Sequence, residues 1–194
     1  MGMDYNFFAF MSRMKYIERW SLMRSTVKEN ILEHSLQVAH IAHALAIINN
    51  KVFCGNLDAG LITCAAIYHE ASEVITGDMP APIKYFNPSI KKVYKDIEQV
   101  ANDKLLSMLP DSLRPEYEKL IKIDPKSVEY AYLKAADKLS AYMKCIEELK
   151  TGNKEFQKAK IAIKADLDKI TLPEVKYFMD NFIGAYEKTL DELD

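Results

Sequence analysis

An apolar run that ends in three ionisable side chains constrains this chain more than any other stretch. Residues 61–67 are almost all apolar and cover nearly every side of a helix, so the sequence predicts a helix that is buried all round. His69, Glu70 and Glu73 follow directly. A buried charge costs several kcal/mol unless it is paired or binds a metal. The stretch therefore predicts partners for all three side chains.

The spacing of these side chains predicts different tasks for them. At about 3.6 residues per turn, His69 and Glu73 lie one turn apart on the same face of a continuous helix, while Glu70 lies about 100° around it. One helix end would thus offer a nitrogen ligand, an oxygen ligand and a separate carboxylate for acid–base chemistry. A metal ion would still need ligands from elsewhere in the chain.

The histidine count limits those further ligands, because only four histidines occur: His34, His40, His43 and His69. Steps of three and four residues from His34 reach the apolar residues Val38, Ile41, Leu45 and Ile48. His34 is therefore predicted to point inward, which makes it the better ligand candidate. A buried histidine of the core is the competing interpretation of His34.

Helical periodicity dominates the rest of the sequence. With only 6 glycines and 7 prolines in 194 residues, and an apolar period near 3.6, we predict a single all-α domain, a helical bundle over residues 1–194. Helix starts are marked by the N-cap candidates Asn30, Asp58 and Asn87, the last followed by Pro88. The predicted helices cover residues 7–15, 30–49, 58–75, 87–109, 115–123, 128–149, 154–170 and 173–193, with an irregular segment at 16–26.

Composition excludes several classes of function. The net charge of −2 gives no reason to expect binding to a nucleic acid polymer. The three cysteines form no CxxC pair, and Cys64 and Cys145 are expected to be core thiols in a reducing compartment. The N-terminal segment has no long apolar core, and no uninterrupted apolar run reaches about 18 residues. We therefore expect a cytoplasmic protein without a membrane span.

The candidate ligands occur in a recognisable order. His34, the pair His69-Glu70 and Asp137, each on a separate predicted helix, resemble the H…HD…D signature of the HD-domain metal-dependent phosphohydrolases. The flanking words extend the likeness to the bacterial 5′-deoxynucleotidase branch and cover essentially the whole chain: 7–9 (FFA), 19–20 (RW), 33–39 (EHSLQVA), 68–74 (YHEASEV), 76–80 (TGDMP), 84–87 (KYFN), 136–139 (ADKL), Tyr142, 144–145 (KC) and 147–149 (EEL).

This resemblance implies a reaction and a set of residues. The expected reaction is hydrolysis of a 2′-deoxyribonucleoside 5′-monophosphate to a deoxynucleoside and phosphate by a homodimer. The implied ligands of one divalent transition metal (Mn²⁺, Co²⁺, Fe²⁺ or Zn²⁺) are His34, His69, Glu70 and Asp137. By the same resemblance, Glu73 is the acid–base residue and Arg19 orients the phosphate. The remaining substrate contacts are Trp20, against the sugar, and Asp78, Met79, Pro80 and Ala81, at the nucleoside, with His34, Glu70 and Asp137 also lining the site.

One departure from the family pattern falls on the metal site, because Glu70 stands where the family has Asp. Glutamate is also an oxygen donor, but its extra methylene would move the carboxylate by about 1 Å. Two alternatives follow: a module that binds nucleotide without turnover, and a phosphohydrolase of the same superfamily acting on a nucleoside triphosphate or a cyclic nucleotide. Structural interpretations also remain open, with Arg19 paired to Glu18 or to a surface acid, Trp20 in the core and Asp78 serving the turn after Gly77.

Overall fold

The computed structural model describes residues 5–84 and 86–194, and helices are its only regular elements over those residues. Tyr85, which belongs to one of the segments of the family resemblance, lies outside the described residues. The α-helices, in chain order, are α1 (Phe7–Met11), α2 (Ile31–Val52), α3 (Ala59–Tyr68), α4 (Glu73–Thr76), α5 (Ala81–Lys84), α6 (Pro88–Leu106), α7 (Arg114–Ile121), α8 (Val128–Lys150), α9 (Gln157–Leu167) and α10 (Pro173–Asn181). The 3₁₀-helices are Ser12–Tyr16, Lys154–Phe156, Ile183–Glu187 and Leu190–Glu192. The prediction of an all-α fold is confirmed.

The predicted helix starts are confirmed by their caps. The Asn30 side chain accepts hydrogen bonds from the backbone N–H groups of Leu32 and Glu33, and the Glu33 carboxylate accepts one from the backbone N–H of Asn30, which completes a capping box. Asp58 caps α3 and Asn87 caps α6, each through a backbone N–H three residues later, at 2.8 Å. These side chains satisfy N–H groups that have no partner inside the helix, which is why short polar residues predict such starts well.

The core is centred on the long helices α2 and α8, which pack together and against α3. Fully buried apolar residues of this cluster include Leu45, Ala66 and Leu139. By length and composition α2 could cross a membrane, but it is a core helix, with 56% of its most apolar window buried. A second apolar cluster joins α1, α6 and α7 around Phe7 and Leu105. α2 contributes to both clusters, with Val38 to Ile48 in the first and Ile31 in the second.

The predicted continuous helix from residue 58 to about 75 is wrong. α3 ends at Tyr68, residues 69–72 form turns, and α4 begins at Glu73. The expectation that this helix is buried all round is also wrong, because Ile67 is 38% exposed and Cys64 is exposed. α3 packs mainly on α2 through small alanines, and its opposite side faces solvent. Cys64 is therefore not a core thiol, whereas Cys145 is buried as expected.

The first and the last of the predicted helices end much earlier than their apolar periodicity predicts, and α6, α7 and α9 end two or three residues early. The first tightens into a 3₁₀-helix at Ser12, and the last α-helix stops at Asn181, after which the chain forms two short 3₁₀-helices. Helix ends depend on caps and packing more than on periodicity, so such shifts are typical of predictions from pattern. The predicted irregular segment at 16–26 is confirmed apart from the end of the first 3₁₀-helix at Tyr16.

Candidate metal and nucleotide site

Four donor residues from α2, α8 and the turn after α3 converge at one point. His34, His69, Glu70 and Asp137 each offer one ligand atom, and these atoms all lie within 4.8 Å of one another. The Nε2 atom of His34 is 3.2 Å from Oδ1 of Asp137, and Nε2 of His69 is 3.2 Å from Oε1 of Glu70. Residues more than a hundred positions apart in sequence thus form a single cluster, at the positions that the family signature indicates.

The helix break after Tyr68 allows two adjacent residues to face the same point. Neighbouring residues of a continuous helix point about 100° apart, which is the geometry that the sequence predicted for His69 and Glu70. In the structure His69 is the C-terminal cap of α3 and Glu70 lies in the following turn. Both side chains can therefore contribute a ligand atom to one ion, and Glu73 begins a new helix beside them.

The two imidazoles are held in the form that a metal ion needs. Nδ1 of His69 lies 2.7 Å from the carbonyl oxygen of Ala66, so it carries the proton and donates it there. Nδ1 of His34 lies 3.2 Å from Oγ of Ser140, whose hydroxyl donates to Gln37 and so can accept from the imidazole. Both Nε2 atoms are buried without a hydrogen-bond partner. Partners on the far nitrogen orient metal-ligating histidines in this way.

Both carboxylates of the cluster are ionised. Burial of Asp137 would raise its pKa, but the positive charge of Lys134 holds that pKa well below its usual value. Burial would also raise the pKa of Glu70, but the neighbouring His69 lowers it below the ordinary range. Two anionic oxygens and two imidazole nitrogens, with no thiolate, are a donor set suited to Mn²⁺, Fe²⁺, Co²⁺ or Zn²⁺. The residues present therefore fit a divalent metal ion.

Arg19 and Glu73 border this cluster. Nη1 of Arg19 is 4.0 Å from Oε1 of Glu70, and its Nε is 3.4 Å from Oε2 of Glu29. The pairing of Arg19 with Glu18 that the sequence left open does not occur, because Glu18 pairs with Lys28. Glu73 is 3% exposed, and burial together with the negative charge of Glu70 raises its pKa to about 10.

Trp20 and the segment after Gly77 lie at the edge of the site. Trp20 adopts a positive φ of 60°, donates its indole N–H to Glu29 at 2.7 Å, and packs its ring 5.3 Å from that of Phe156. Asp78 is half-buried, and its negative charge acts on both Arg19 and Glu73. Met79 and Pro80 are half-buried and Ala81 is exposed at the start of α5.

The sequence analysis missed several supporting residues. Lys134 forms an ion pair with Asp137 one helical turn away, and this spacing of three residues was a usable signal. Ser140, three residues after Asp137 on α8, accepts a hydrogen bond from Nδ1 of His34. Glu29 contacts Arg19, Trp20 and His34, but nothing in its local sequence indicates this position.

A cavity of about 1120 Å³ lies away from the cluster of His34, His69, Glu70 and Asp137, between the C-terminal halves of α2 and α8 and the end of the chain. Its lining is mostly apolar, and none of the predicted site residues takes part in it. His43 is in its wall, and His40 is exposed elsewhere on α2. Because this cavity lacks a convergent set of metal donors, the His34 cluster is the better candidate for catalysis.

The fold defines the class of protein. An HD-domain phosphohydrolase from Listeria innocua has a similar structure, with a TM-score of 0.82 and 21% identity, covering 93% of this chain and 88% of that one. An HD phosphohydrolase of cyanophage S-2L, bound to dA and one catalytic Zn²⁺ ion, has a TM-score of 0.62 and 19% identity, covering 91% and 95%. These likenesses identify the HD-domain phosphohydrolase fold.

Sequence similarity then gives the family. A 5′-deoxynucleotidase of Photobacterium profundum is 49% identical over 191 residues, which are 97% of each chain. The family model described as 5′-deoxynucleotidase YfbR-like matches residues 6–186. The chain belongs to this family, which confirms the resemblance seen in the sequence.

Proposed function

We propose that His34, His69, Glu70 and Asp137 hold the one divalent cation with which this 5′-deoxynucleotidase, a phosphoric monoester hydrolase, converts 2′-deoxyribonucleoside 5′-monophosphates to deoxynucleosides and phosphate. The observation that carries the proposal is the convergence of four donor atoms within 4.8 Å. Burial of both histidine Nε2 atoms without a partner supports it further. When bound, such a cation makes a water molecule more acidic and offsets negative charge on the phosphoryl group.

Arg19 is the residue that orients the phosphate. Its Nη1 lies 4.0 Å from Oε1 of Glu70 and its side chain is only 13% exposed, so the guanidinium lies beside the metal cluster and is largely shielded from solvent. A guanidinium donates to two phosphate oxygens at once, which fixes the group more firmly than a lysine can. The ester bond is thereby held next to the four metal ligands.

Glu73 moves the proton in this proposal. It lies beside Glu70, is almost fully buried, and has one carboxyl oxygen without a hydrogen-bond partner. That oxygen is free to exchange a proton with the attacking water or with the leaving 5′-oxygen. A positioned carboxyl group of this kind typically contributes about 10²–10⁴ to a rate.

Trp20 and Asp78 set the contacts to the nucleoside. Trp20 presents a rigid ring close to Arg19, so a sugar attached to the bound phosphate would lie against it and a 2′-hydroxyl would meet the ring. Asp78 supplies a carboxylate whose charge acts on Arg19, and we assign nucleoside contacts also to Met79, Pro80 and Ala81, which follow it in the chain. Contacts to the sugar in place of base hydrogen bonds would give broad base tolerance.

Assays with a deoxyribonucleotide and the matching ribonucleotide test the role assigned to Trp20. Metal-reconstituted protein should release phosphate from dAMP about hundredfold faster than from AMP, as kcat/KM, because a pocket that excludes an added hydroxyl reaches about that ratio. Trp20→Leu should bring the two rates together, while Leu22→Ala, on an exposed side chain of the same loop, should keep them apart. Equal rates for dAMP and AMP with the unaltered protein would contradict the role given to Trp20.

The same assay separates the alternative functions. A module that only binds nucleotide would hold dAMP without releasing phosphate, and release of pyrophosphate or tripolyphosphate from a nucleoside triphosphate would indicate another substrate. The departure at Glu70 favours the binding module, but one of its carboxylate oxygens lies within 4.8 Å of the other three donor atoms. The longer side chain therefore reaches the position required of a ligand.

We further propose that the protein acts in the cytoplasm as a homodimer and binds no nucleic acid polymer. A net charge of −2 argues against a phosphate-backbone groove. The outer side of α6 carries four exposed apolar residues at helical spacing, Ile90, Val93, Ile97 and Val100, which suits burial against a second copy. Light scattering should give the dimer mass, and Val93→Lys should give the monomer mass.

A further inference from the structure

Glu29 lies between the phosphate arginine, the tryptophan and a metal ligand. Its Oε2 accepts the indole N–H of Trp20 at 2.7 Å and is 3.4 Å from Nε of Arg19. Its Oε1 is 3.6 Å from Nδ1 of His34. The side chain is 12% exposed, so solvent does little to replace these contacts. One carboxylate therefore faces three different parts of the site.

The backbone fixes Glu29 relative to Arg19 and Trp20. The N–H of Arg19 donates to the carbonyl oxygen of Glu29 at 2.9 Å, and Glu18 and Asn30 form an antiparallel bridge beside it. Asn30 is also the cap of α2, the helix that carries His34. The bridge thus anchors the segment with Arg19 and Trp20 to the start of α2.

All three groups that face Glu29 are hydrogen-bond donors. The indole of Trp20 and the guanidinium of Arg19 have no acceptor atom, and Nδ1 of His34 must keep its proton if Nε2 is to bind a metal. A carboxylate has two acceptor oxygens and a negative charge, so it suits all three groups at once. An amide has one acceptor oxygen and would place an NH₂ group against another donor.

The backbone of Trp20 makes this hydrogen bond more important. A φ of 60° is in the left-handed region, where a residue other than glycine is strained by roughly 1–2 kcal/mol. A backbone hydrogen bond from the N–H of Met23 to the carbonyl oxygen of Trp20, at 2.8 Å, helps to hold the residue there, and so do the contacts of its side chain. The structure provides two, the hydrogen bond to Glu29 and the ring contact with Phe156.

We propose that Glu29 is a positioning residue that holds the Trp20 ring and the His34 imidazole in their working orientations, and thereby sets the preference for deoxyribose. The effect on sugar preference rests on the function proposed above. The effects on Trp20 and on metal binding do not, because both can be measured without substrate.

Two substitutions of Glu29 separate its effect on the Trp20 ring from its effect on the His34 imidazole. Glu29→Leu removes every acceptor while keeping similar bulk. Glu29→Gln keeps one acceptor, which we expect to face Trp20 and Arg19, and turns a donor toward Nδ1 of His34. Glu18→Gln is the matched control, because Glu18 lies on the same segment and pairs only with Lys28 at the surface in the described structure.

Trp20 provides a direct readout, since it is the only tryptophan in the chain. In metal-free protein, Glu29→Leu should shift the fluorescence emission and increase acrylamide quenching, whereas Glu29→Gln and Glu18→Gln should match the unaltered protein. In a Co²⁺ titration, both Glu29 variants should bind about tenfold more weakly, because they lose the negative charge that faces Nδ1 of His34 at 3.6 Å, beside the Ser140 hydroxyl. In the dAMP and AMP assay, Glu29→Leu should lower the deoxyribose preference about tenfold.

The outcomes decide the proposal in each case. Unaltered Co²⁺ affinity in Glu29→Gln, or unaltered fluorescence in a folded Glu29→Leu, would overturn it. If Glu29→Leu does not fold by circular dichroism, the Co²⁺ affinity of Glu29→Gln relative to Glu18→Gln decides alone. If the unaltered protein releases no phosphate from dAMP, the proposed function fails, while the fluorescence and Co²⁺ results still decide the role of Glu29.

Discussion

Two buried glutamates of this protein show opposite environments. Glu148 on α8 is 1% exposed and Glu73 at the site is 3% exposed. The Glu148 carboxylate accepts hydrogen bonds from four donors: the backbone N–H groups of Thr26 and Val27, Nζ of Lys144 and Nδ2 of Asn153. One oxygen of Glu73 has no partner. Burial would raise the pKa of Glu148, but Lys144 and the other donors lower it to about 2, whereas burial and Glu70 raise that of Glu73 to about 10.

The difference in hydrogen-bond partners between Glu148 and Glu73 distinguishes a structural cluster from a functional site. Folded proteins pair nearly all their buried polar atoms, so an unpaired one calls for an explanation. Among the described residues, four of the eight buried side-chain atoms without a partner belong to the site: Arg19 Nε, His34 Nε2, His69 Nε2 and Glu73 Oε2. Glu148 holds a loop to α8, while the site keeps atoms available for a metal ion and a substrate.

The largest expected effect is the loss of metal binding and activity when the proposed ligand Glu70 is replaced. Glu70→Gln removes an anionic ligand, so Co²⁺ affinity and phosphate release from dAMP should each fall by more than about 100-fold, the upper end for residues that only support a ligand. Glu70→Asp keeps the charge and should stay within about tenfold of the unaltered protein. Isothermal titration and a phosphate assay measure both.

A surface carboxylate supplies the control for this test. Glu116 is exposed and pairs with Lys119, so Glu116→Gln should leave metal binding and activity unchanged. Equal metal affinity in Glu70→Gln and Glu116→Gln would show that Glu70 is not a ligand. A large gain in Glu70→Asp would show instead that the longer side chain handicaps the site.

The second effect separates activity from stability at Glu73. Glu73→Gln should lower kcat by about 10²–10⁴, because an amide cannot exchange the proton. Its free energy of unfolding in urea should hardly change, because the carboxyl group that it replaces lacks a full set of partners. A substantial loss of stability with near-normal kcat would reverse the assignment and make Glu73 a structural residue.

The smallest effect on chemistry, and the largest on stability, is expected at Glu148. Glu148→Gln should lower the free energy of unfolding by about 3 kcal/mol, as for other broken buried ion pairs, since Lys144 keeps its buried charge. The kcat on dAMP should change by less than about threefold. Glu155→Gln, on an exposed carboxylate near the same loop, is the matched control. Equal free energies of unfolding for Glu148→Gln and Glu155→Gln would contradict the structural role given to Glu148.

The pH dependence of stability tests the environment of Glu148. The folded-state pKa of Glu148, about 2, lies below its ordinary value of 4.5, so its stabilising contribution is complete above about pH 4.5 and is lost as the pH falls toward 2. The stability gap between the unaltered protein and Glu148→Gln should therefore shrink over this range. Urea unfolding at pH 7, 4 and 2.5 measures the gap, and a constant gap would contradict the assignment.

Local sequence signals predicted much of the fold. The caps at Asn30, Asp58 and Asn87 and the long helices α2 and α8 follow from short polar residues and from apolar periodicity, both of which act within one or two turns. His34 was expected to face inward, and it is fully buried. The order of the candidate ligands also predicted the cluster that the structure brings together.

By itself, the sequence determined the class of fold, the ligand types and the family, because these depend on composition, spacing and motif words. Only the tertiary structure decided where α3 breaks, how His69 and Glu70 face one ion, and which residues support His34. Ser140 and His34 are 106 residues apart, and Glu29 reaches its three partners across a loop and a helix start. Contacts of this kind arise from packing between distant segments, which no local pattern encodes.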